Sequence, residues 1–136
     1  MSHPVDTGQK TEAIVLAELV KRDYRVLVPF GVNHRYDLVI DQGGQFLRVQ
    51  CKTGRLANGV VTFNASSTQG GNARDGAIRR GYKDEADVFL VYCPGTDKVY
   101  WILVEEAGTA PNLRVDPPKN NQTTGIRWAR DYELAP

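Results

Sequence analysis

Sulfur is scarce in this chain: of its 136 residues two are cysteine and one is methionine. Cys51 and Cys93 lie inside apolar runs and form no Cys-x-x-Cys pair. That excludes a zinc ribbon or a disulfide scaffold and predicts buried thiols in a reducing compartment. A chain of this length hides roughly two-thirds of its unfolded surface, so it needs no such staple. Long apolar runs are missing as well, none reaching about 18 residues, and Met1–Lys10 shows no charged-then-apolar leader. The expectation is a cytoplasmic protein without a membrane partner. Charge of one sign is also absent. Seventeen Lys and Arg against 16 Asp and Glu leave +1, so the chain as a whole does not advertise a polyanion partner. Histidine is limited to His3 and His34, with no ligand partner at useful spacing, and Ser66 and Ser67 have no His/Asp relay, which leaves a serine nucleophile unsupported. What remains, 41% hydrophobic and 24% charged, describes one globular domain over residues 1–136 with a single core.

The chain opens with a helical pattern. From Gln9 to Tyr24, Ala13, Leu16, Ala17, Val20 and Tyr24 recur at helical spacing, which predicts that this stripe faces the core and that Thr11, Glu18 and Arg22 form the polar side. Glu12 then borders the core, and Val15 falls near the polar side as an exposed apolar residue or a subunit contact. Arg25–Phe30 reads as a short strand ended by Pro29. Tyr36–Asp41 and Phe46–Thr53 are strands joined through Gln42-Gly43-Gly44-Gln45, and a two-residue Gly-Gly turn fixes their register by pairing Gln42 with Gln45. Val39 then faces Arg48 and Asp37 faces Gln50, while Leu38, Ile40, Leu47, Val49 and Cys51 form a wholly apolar opposite face. Val60–Asn64 reads as a strand, Ser66–Asn72 as a loop, and Ala86–Cys93 with Lys98–Val104 as a buried hairpin turning at Pro94-Gly95. From Asn112 onward the tail is irregular and is expected to pack back through Trp128 and Tyr132. The result is an α/β domain.

Chemistry gathers on the polar face of the Gly-Gly hairpin. Asp37 and Gln50, as cross-strand neighbours, would have Cβ atoms about 4.5–5.5 Å apart, with Lys52 diagonal at about 7–8 Å. A carboxylate, an amide oxygen and the backbone carbonyl of Cys51 are the hard oxygen donors that suit Mg²⁺, which keeps several waters and takes few protein carboxylates beside substrate phosphate oxygens. Lys52 would orient or deprotonate an attacking water and offset charge on phosphorus. An Asp and a Lys on adjacent strands are more often a surface ion pair. Against that reading stand Glu12, able to reach the same end of the sheet, and Thr53-Gly54-Arg55, which adds small and basic groups.

Asp37, followed at a distance by Gln50-Cys51-Lys52, with Glu12 in a preceding helix, resembles the PD-(D/E)XK nuclease superfamily. The stretches Asn33-His34-Arg35-Tyr36-Asp37-Leu38 and Leu47 to Gly54 resemble in particular its small branch that includes a cyanobacterial group I intron homing endonuclease. The resemblance extends through Phe63 to Ser67, Val91 to Pro94 and Gly125 to Trp128, nearly the whole chain. It implies a restriction-endonuclease-like mixed β-sheet flanked by helices. It also implies Mg²⁺-dependent hydrolysis of DNA phosphodiesters, with Mn²⁺ as a substitute. Mapped onto this sequence, Asp37 is the principal metal ligand, Lys52 the water-positioning or charge-stabilising lysine, and Glu12 the helix acid. Two departures stand out. Gln50 replaces the acid that most members carry, which weakens metal binding relative to a carboxylate although the small branch named above also uses glutamine, and Tyr36 stands where a small residue normally precedes the Asp.

Basic residues collect in two stretches, Arg48, Lys52 and Arg55, and Arg74, Arg79, Arg80 and Lys83. Apart from Lys52 they are the expected phosphate contacts; a solvated surface is the alternative, and no side chain is assigned to base reading. Arg127 and Arg130 are expected to hold the terminal segment or a subunit contact rather than to read DNA. The preferred reading is a homing- or restriction-like endonuclease of double-stranded DNA, acting as a homodimer or homotetramer because one small domain offers one active site. A structure-selective nuclease such as a Holliday junction resolvase, and a non-catalytic DNA-binding module of the same fold, are the alternatives.

Overall fold

The structure is a computed structural model and describes residues 4–31, 34–69, 78–120 and 124–135. In chain order its elements are α1 (Pro4–Lys21), β1 (Arg25–Leu27), β2 (Leu38–Gln42), β3 (Gln45–Thr53), β4 (Arg55–Ala57), β5 (Val60–Thr62), β6 (Ser67–Gln69), β7 (Ile78–Arg80), β8 (Val88–Cys93), β9 (Lys98–Leu103), α2 (Val104–Ala107), β10 (Asn112–Arg114) and a 3₁₀ turn at Ala129–Asp131. The main sheet has five strands in the order β1-β2-β3-β8-β9. All its pairings are antiparallel except β3–β8. A small sheet, β10-β5-β4, and the pair β6–β7 complete the domain. No helix among the described residues is long and apolar enough to cross a membrane.

The β2–β3 hairpin has the register the sequence predicts, Gln42 opposite Gln45 through Leu38 opposite Val49. Gly43 and Gly44 take φ of 62° and 99°, the left-handed values a two-residue turn demands. The β8–β9 hairpin also forms as expected. Two apolar clusters fill the two faces of the sheet. On one side α1 delivers Val15 and Leu19 against Leu38, Ile40, Val49, Val88 and Leu90; on the other, Phe89, Val91, Tyr100 and Ile102 meet Val61, Phe63, Leu113 and Ala129. β8 is therefore covered from both sides, and its continuous apolar run follows from that position. Cys51 and Cys93 are free and buried.

Several expectations need correction. Helix α1 starts at Pro4, a residue suited to a first helical turn, and it is rotated relative to the predicted stripe. Thr11, Val15 and Leu19 are buried, while Ala13, Ala17 and Val20 are exposed. Val15 is thus core. Thr11 tolerates burial because its hydroxyl bonds that of Thr53 at 2.7 Å. β1 and β5 are shorter than read, and Tyr36 and Asp37 lie just outside β2. The segment read as a loop from Ser66 contains β6, which pairs with β7. The strand at Val60 belongs to the small sheet with β4 and β10. The tail packs back as expected: Ala129 and Leu134 are buried, Tyr132 rests on the second cluster, and Trp101 N–H donates to Tyr132 O at 2.7 Å. Arg127 holds this segment by donating to the Ala107 and Glu106 carbonyls at the end of α2.

Candidate active site

The site lies where β2 stops and β3 runs on. β2 pairs only as far as Leu38 opposite Val49, so from Gln50 to Thr53 the β2 side of β3 is open. In an antiparallel ladder a residue that bonds its neighbour presents both its N–H and its C=O to it. Cys51, two residues beyond Val49, therefore turns both groups toward the vacated edge. Asp37 stands there. Its own N–H donates to Val49 O at 2.7 Å, and its Oδ2 accepts the Cys51 N–H at 2.9 Å.

Helix α1 brings Glu12 to the same edge, since Thr11 is pinned to Thr53 at the end of β3. Burial, and after it the charge of Asp37, raise the Glu12 carboxyl above the usual range. Asp37 is raised too: burial outweighs the opposing Cys51 N–H bond and the Lys52 charge. Burial first, then Asp37 and Glu12, push the Cys51 thiol well up, so it stays protonated and inert. Lys52 alternates with Cys51 and faces the other side of β3, where its Nζ donates to Tyr82 Oη at 3.2 Å and to Ser66 O at 3.3 Å. The ammonium also sits 4.7 Å from the Tyr82 ring centroid, and the Arg35 guanidinium covers that ring at 4.2 Å. Arg35 is itself held by Glu85 and by the Gly81 carbonyl. Tyr82 is buried, its ring edge-on to Phe89.

The structure thus brings Glu12, Asp37 and the Cys51 backbone together at this edge, with Lys52 next in the strand on the opposite face and its charge felt at Asp37; Asp37 binds the Cys51 N–H rather than pairing across from Gln50. Gln50 is half-buried, shares the Lys52 face of β3, and stands opposite Phe89 of β8. Tyr82 and Ser66 were not foreseen as holders of Lys52, because their contact with it crosses separate elements and leaves no local signal. Of the basic residues, Arg55 and Lys83 are exposed. Arg48 is engaged elsewhere, bonding Asp87 through Nε and Nη2 at 3.1 Å each and the Asp84 carbonyl through Nη1 at 2.9 Å. These contacts pin the 84–87 turn to β3. Arg79 and Arg80 lie on β7, and Arg74 falls outside the described residues.

The donors at this edge are hard oxygens, the Asp37 carboxylate and the Cys51 carbonyl with the Glu12 carboxyl alongside, while Gln50 stays on the Lys52 face of β3. No three His, Cys, Asp or Glu side chains among the described residues gather as a metal cluster. A small cation that keeps waters and takes phosphate oxygens fits such a set.

The model of the PD-(D/E)XK endonuclease family matches residues 2–135. The chain belongs to that family. No curated protein matches it. Among solved structures, one titled as that of a bacterial homing endonuclease, I-Ssp6803I, superposes with a TM-score of 0.75 at 20% identity, covering 97% of this chain and 89% of that one. At that identity the likeness shows the fold, which is the restriction-endonuclease-like α/β fold.

Proposed function

We propose that the protein is a divalent-metal-dependent endonuclease of double-stranded DNA that hydrolyses a phosphodiester by direct attack of water. The observation that supports this reading is the approach of Glu12 and Asp37 to each other at the vacated edge of β3, with the Lys52 charge felt at Asp37 from the next residue of the strand. Asp37, with the Cys51 carbonyl and the Gln50 amide, would hold Mg²⁺, and Mn²⁺ would substitute. The bound ion would supply Lewis-acid polarisation of the phosphate and a more acidic water. Lys52, fixed by Ser66 O and Tyr82 Oη, presents an ammonium against the charge that develops on phosphorus. Glu12, raised above the usual carboxylate range by burial and by Asp37, would accept or return a proton at the same edge. Arg55 and Lys83 are proposed DNA contacts, Lys83 to phosphate; Arg79 and Arg80 on β7, and Arg74 near them in sequence, complete the basic stretch. Cutting both strands requires two such sites, hence a homodimer or a larger symmetric assembly.

The test is plasmid nicking and linearisation with Mg²⁺ or Mn²⁺, abolished by EDTA and by Asp37→Ala or Lys52→Ala. A second reading, a DNA-binding module that has lost catalysis, is favoured by one observation: Gln50 puts a neutral amide where the family carries an acid. DNA binding that survives both substitutions with no cleavage under any metal would select it.

A further inference from the structure

The small sheet β10-β5-β4 has two unlike faces. Its middle row is Leu56 opposite Val61 opposite Leu113; Val61 and Leu113 are fully buried, while Leu56 on the edge strand is 38% exposed. The flanking rows therefore turn outward. One row is Arg55, Thr62 and Asn112, all exposed; the other is Ala57, Val60 and Arg114. No carboxylate occurs in any of the three strands. Asp116 stands at one end, its side chain against Gly59. Beyond β10 a bridge sets Trp128 beside Arg114, with the Arg130 guanidinium 4.7 Å from the Trp128 ring. The outward face is thus basic and rich in hydrogen-bonding groups, while its inner side is locked into the core.

Resting on the endonuclease reading, we propose that this face is the base-reading surface of the protein and enters the major groove of duplex DNA. Three strands about 4.8 Å apart present a row about 10 Å wide, and the two rows lie about 7 Å apart along the strands. That axis-to-axis span is comparable with a major groove about 12 Å across, which admits a two-stranded β-ribbon. The side chains have the chemistry that reads base edges there. Arg55 and Arg114 match the paired acceptors of guanine, Asn112 matches the donor–acceptor pair of adenine, and Thr62 offers a hydroxyl and a methyl to adenine or thymine. Arg114 is steadied at one end by donating to the Asp116 carbonyl at 3.3 Å. The face is also tied to the site of cleavage. β4 follows β3 through the single residue Gly54, so Arg55 and Lys52 are separated by at most about 11 Å of chain. A phosphate held by Lys52 and the base edges of the adjoining groove lie within reach of the same short segment.

The experiment is cleavage of a randomised duplex library with Mg²⁺, followed by sequencing of the ends. Wild type is compared with Arg55→Ala, Asn112→Ala and Thr62→Val, and thermal melts run in parallel show that these exposed substitutions leave the protein folded. The expected result is a base preference in the wild type that each variant loses at its own position, by roughly 5- to 150-fold. Lys83→Ala is expected to lower cutting across all sequences alike. A wild type that cuts with no base preference, or variants whose preference is unchanged, overturn the proposal while leaving the endonuclease reading intact. A folded wild type that leaves the library uncut with Mg²⁺ and with Mn²⁺ overturns both.

Discussion

Gly54 joins the main sheet to the small one, and adding a single methyl there gives a sharp test of the packing around the site. A Cβ at Gly54 would stand 3.0 Å from Val61 Cγ1, 3.0 Å from Val91 Cγ1 and 3.2 Å from Cys93 Cβ. Carbon pairs prefer about 3.5–4.0 Å. Val61, Val91 and Cys93 are all fully buried, so none can swing into solvent. Overpacking of this kind costs about 1–3 kcal/mol. Gly54 has an ordinary φ, so alanine also restricts the unfolded chain and returns about 0.4–1 kcal/mol. The net expectation for Gly54→Ala is a loss of about 1–2 kcal/mol, or a melting temperature lower by about 3–10 °C for a domain of this length. The assay is thermal unfolding followed by circular dichroism, with urea melts to confirm an unchanged slope. Repeating it in a Val61→Ala background removes one of the opposing methyls and should reduce the cost of Gly54→Ala. A melting temperature at or above that of the parent, or an identical cost in both backgrounds, would refute the packing described here.

Asp37 and Glu12 both lie above the usual carboxylate range because burial disfavours their charge. Each therefore withdraws stability as it ionises, and this penalty grows as pH rises from about 4 through the raised values. Asp37→Asn should raise the melting temperature of the metal-free protein near neutral pH while abolishing cleavage, and the gain should vanish in acid; equal melting at neutral pH would contradict it. Asp87 has the opposite sign. Hydrogen bonding to Arg48 lowers its carboxyl, so its contribution is present above the ordinary Asp value and is lost as pH falls through the depressed one. Asp87→Ala should cost about 1–2 kcal/mol in urea melts at neutral pH, mostly for the orphaned Arg48 N–H, which the carboxylate accepts at 2.7 Å. Tyr82→Phe keeps the ring under Lys52 and removes one partner of its Nζ, whereas Tyr82→Leu removes both. The turnover rate should fall by about tenfold in the first and further in the second, with KM for DNA little changed, and equal losses would show that the ring is irrelevant. Gln50→Glu should lower the Mg²⁺ concentration for half-maximal cleavage by on the order of tenfold, as one added unit charge beside a divalent ion requires. An unchanged metal titration would remove Gln50 from the site.

The parts of the fold that were legible in the sequence are those fixed by neighbours in the chain. Gly43-Gly44 sets the β2–β3 register alone, and with it the approach of Asp37 to Cys51 and Lys52. Glu12 was placed correctly at the border of the core even though the helix face was misread. Ala13 and Ala17 look apolar but are indifferent to exposure, whereas Thr11 is buried only because Thr53 supplies a partner from a distant strand. One local signal was overlooked. Asn58 and Gly59, with φ of 53° and 74°, form the two-residue turn between β4 and β5, a dipeptide that announces a hairpin. β10 and the β6–β7 pair could not be foreseen in the same way. Each is three residues long and defined by its partner, and the clamp of Tyr82 and Ser66 on Lys52 has the same long-range origin.

The parallel seam between β3 and β8 has a consequence for the order of assembly. The antiparallel hairpins on either side of it can close early and locally, but the seam must wait until the whole excursion through the small sheet has been synthesised and folded back. Lys52 belongs to the strand before that excursion, and Tyr82 to the turn that ends it. A nascent or half-denatured chain thus holds its acid and its lysine on one ribbon without the aromatic brace that aims them. The brace on Lys52 is thus the last part of the proposed site to form.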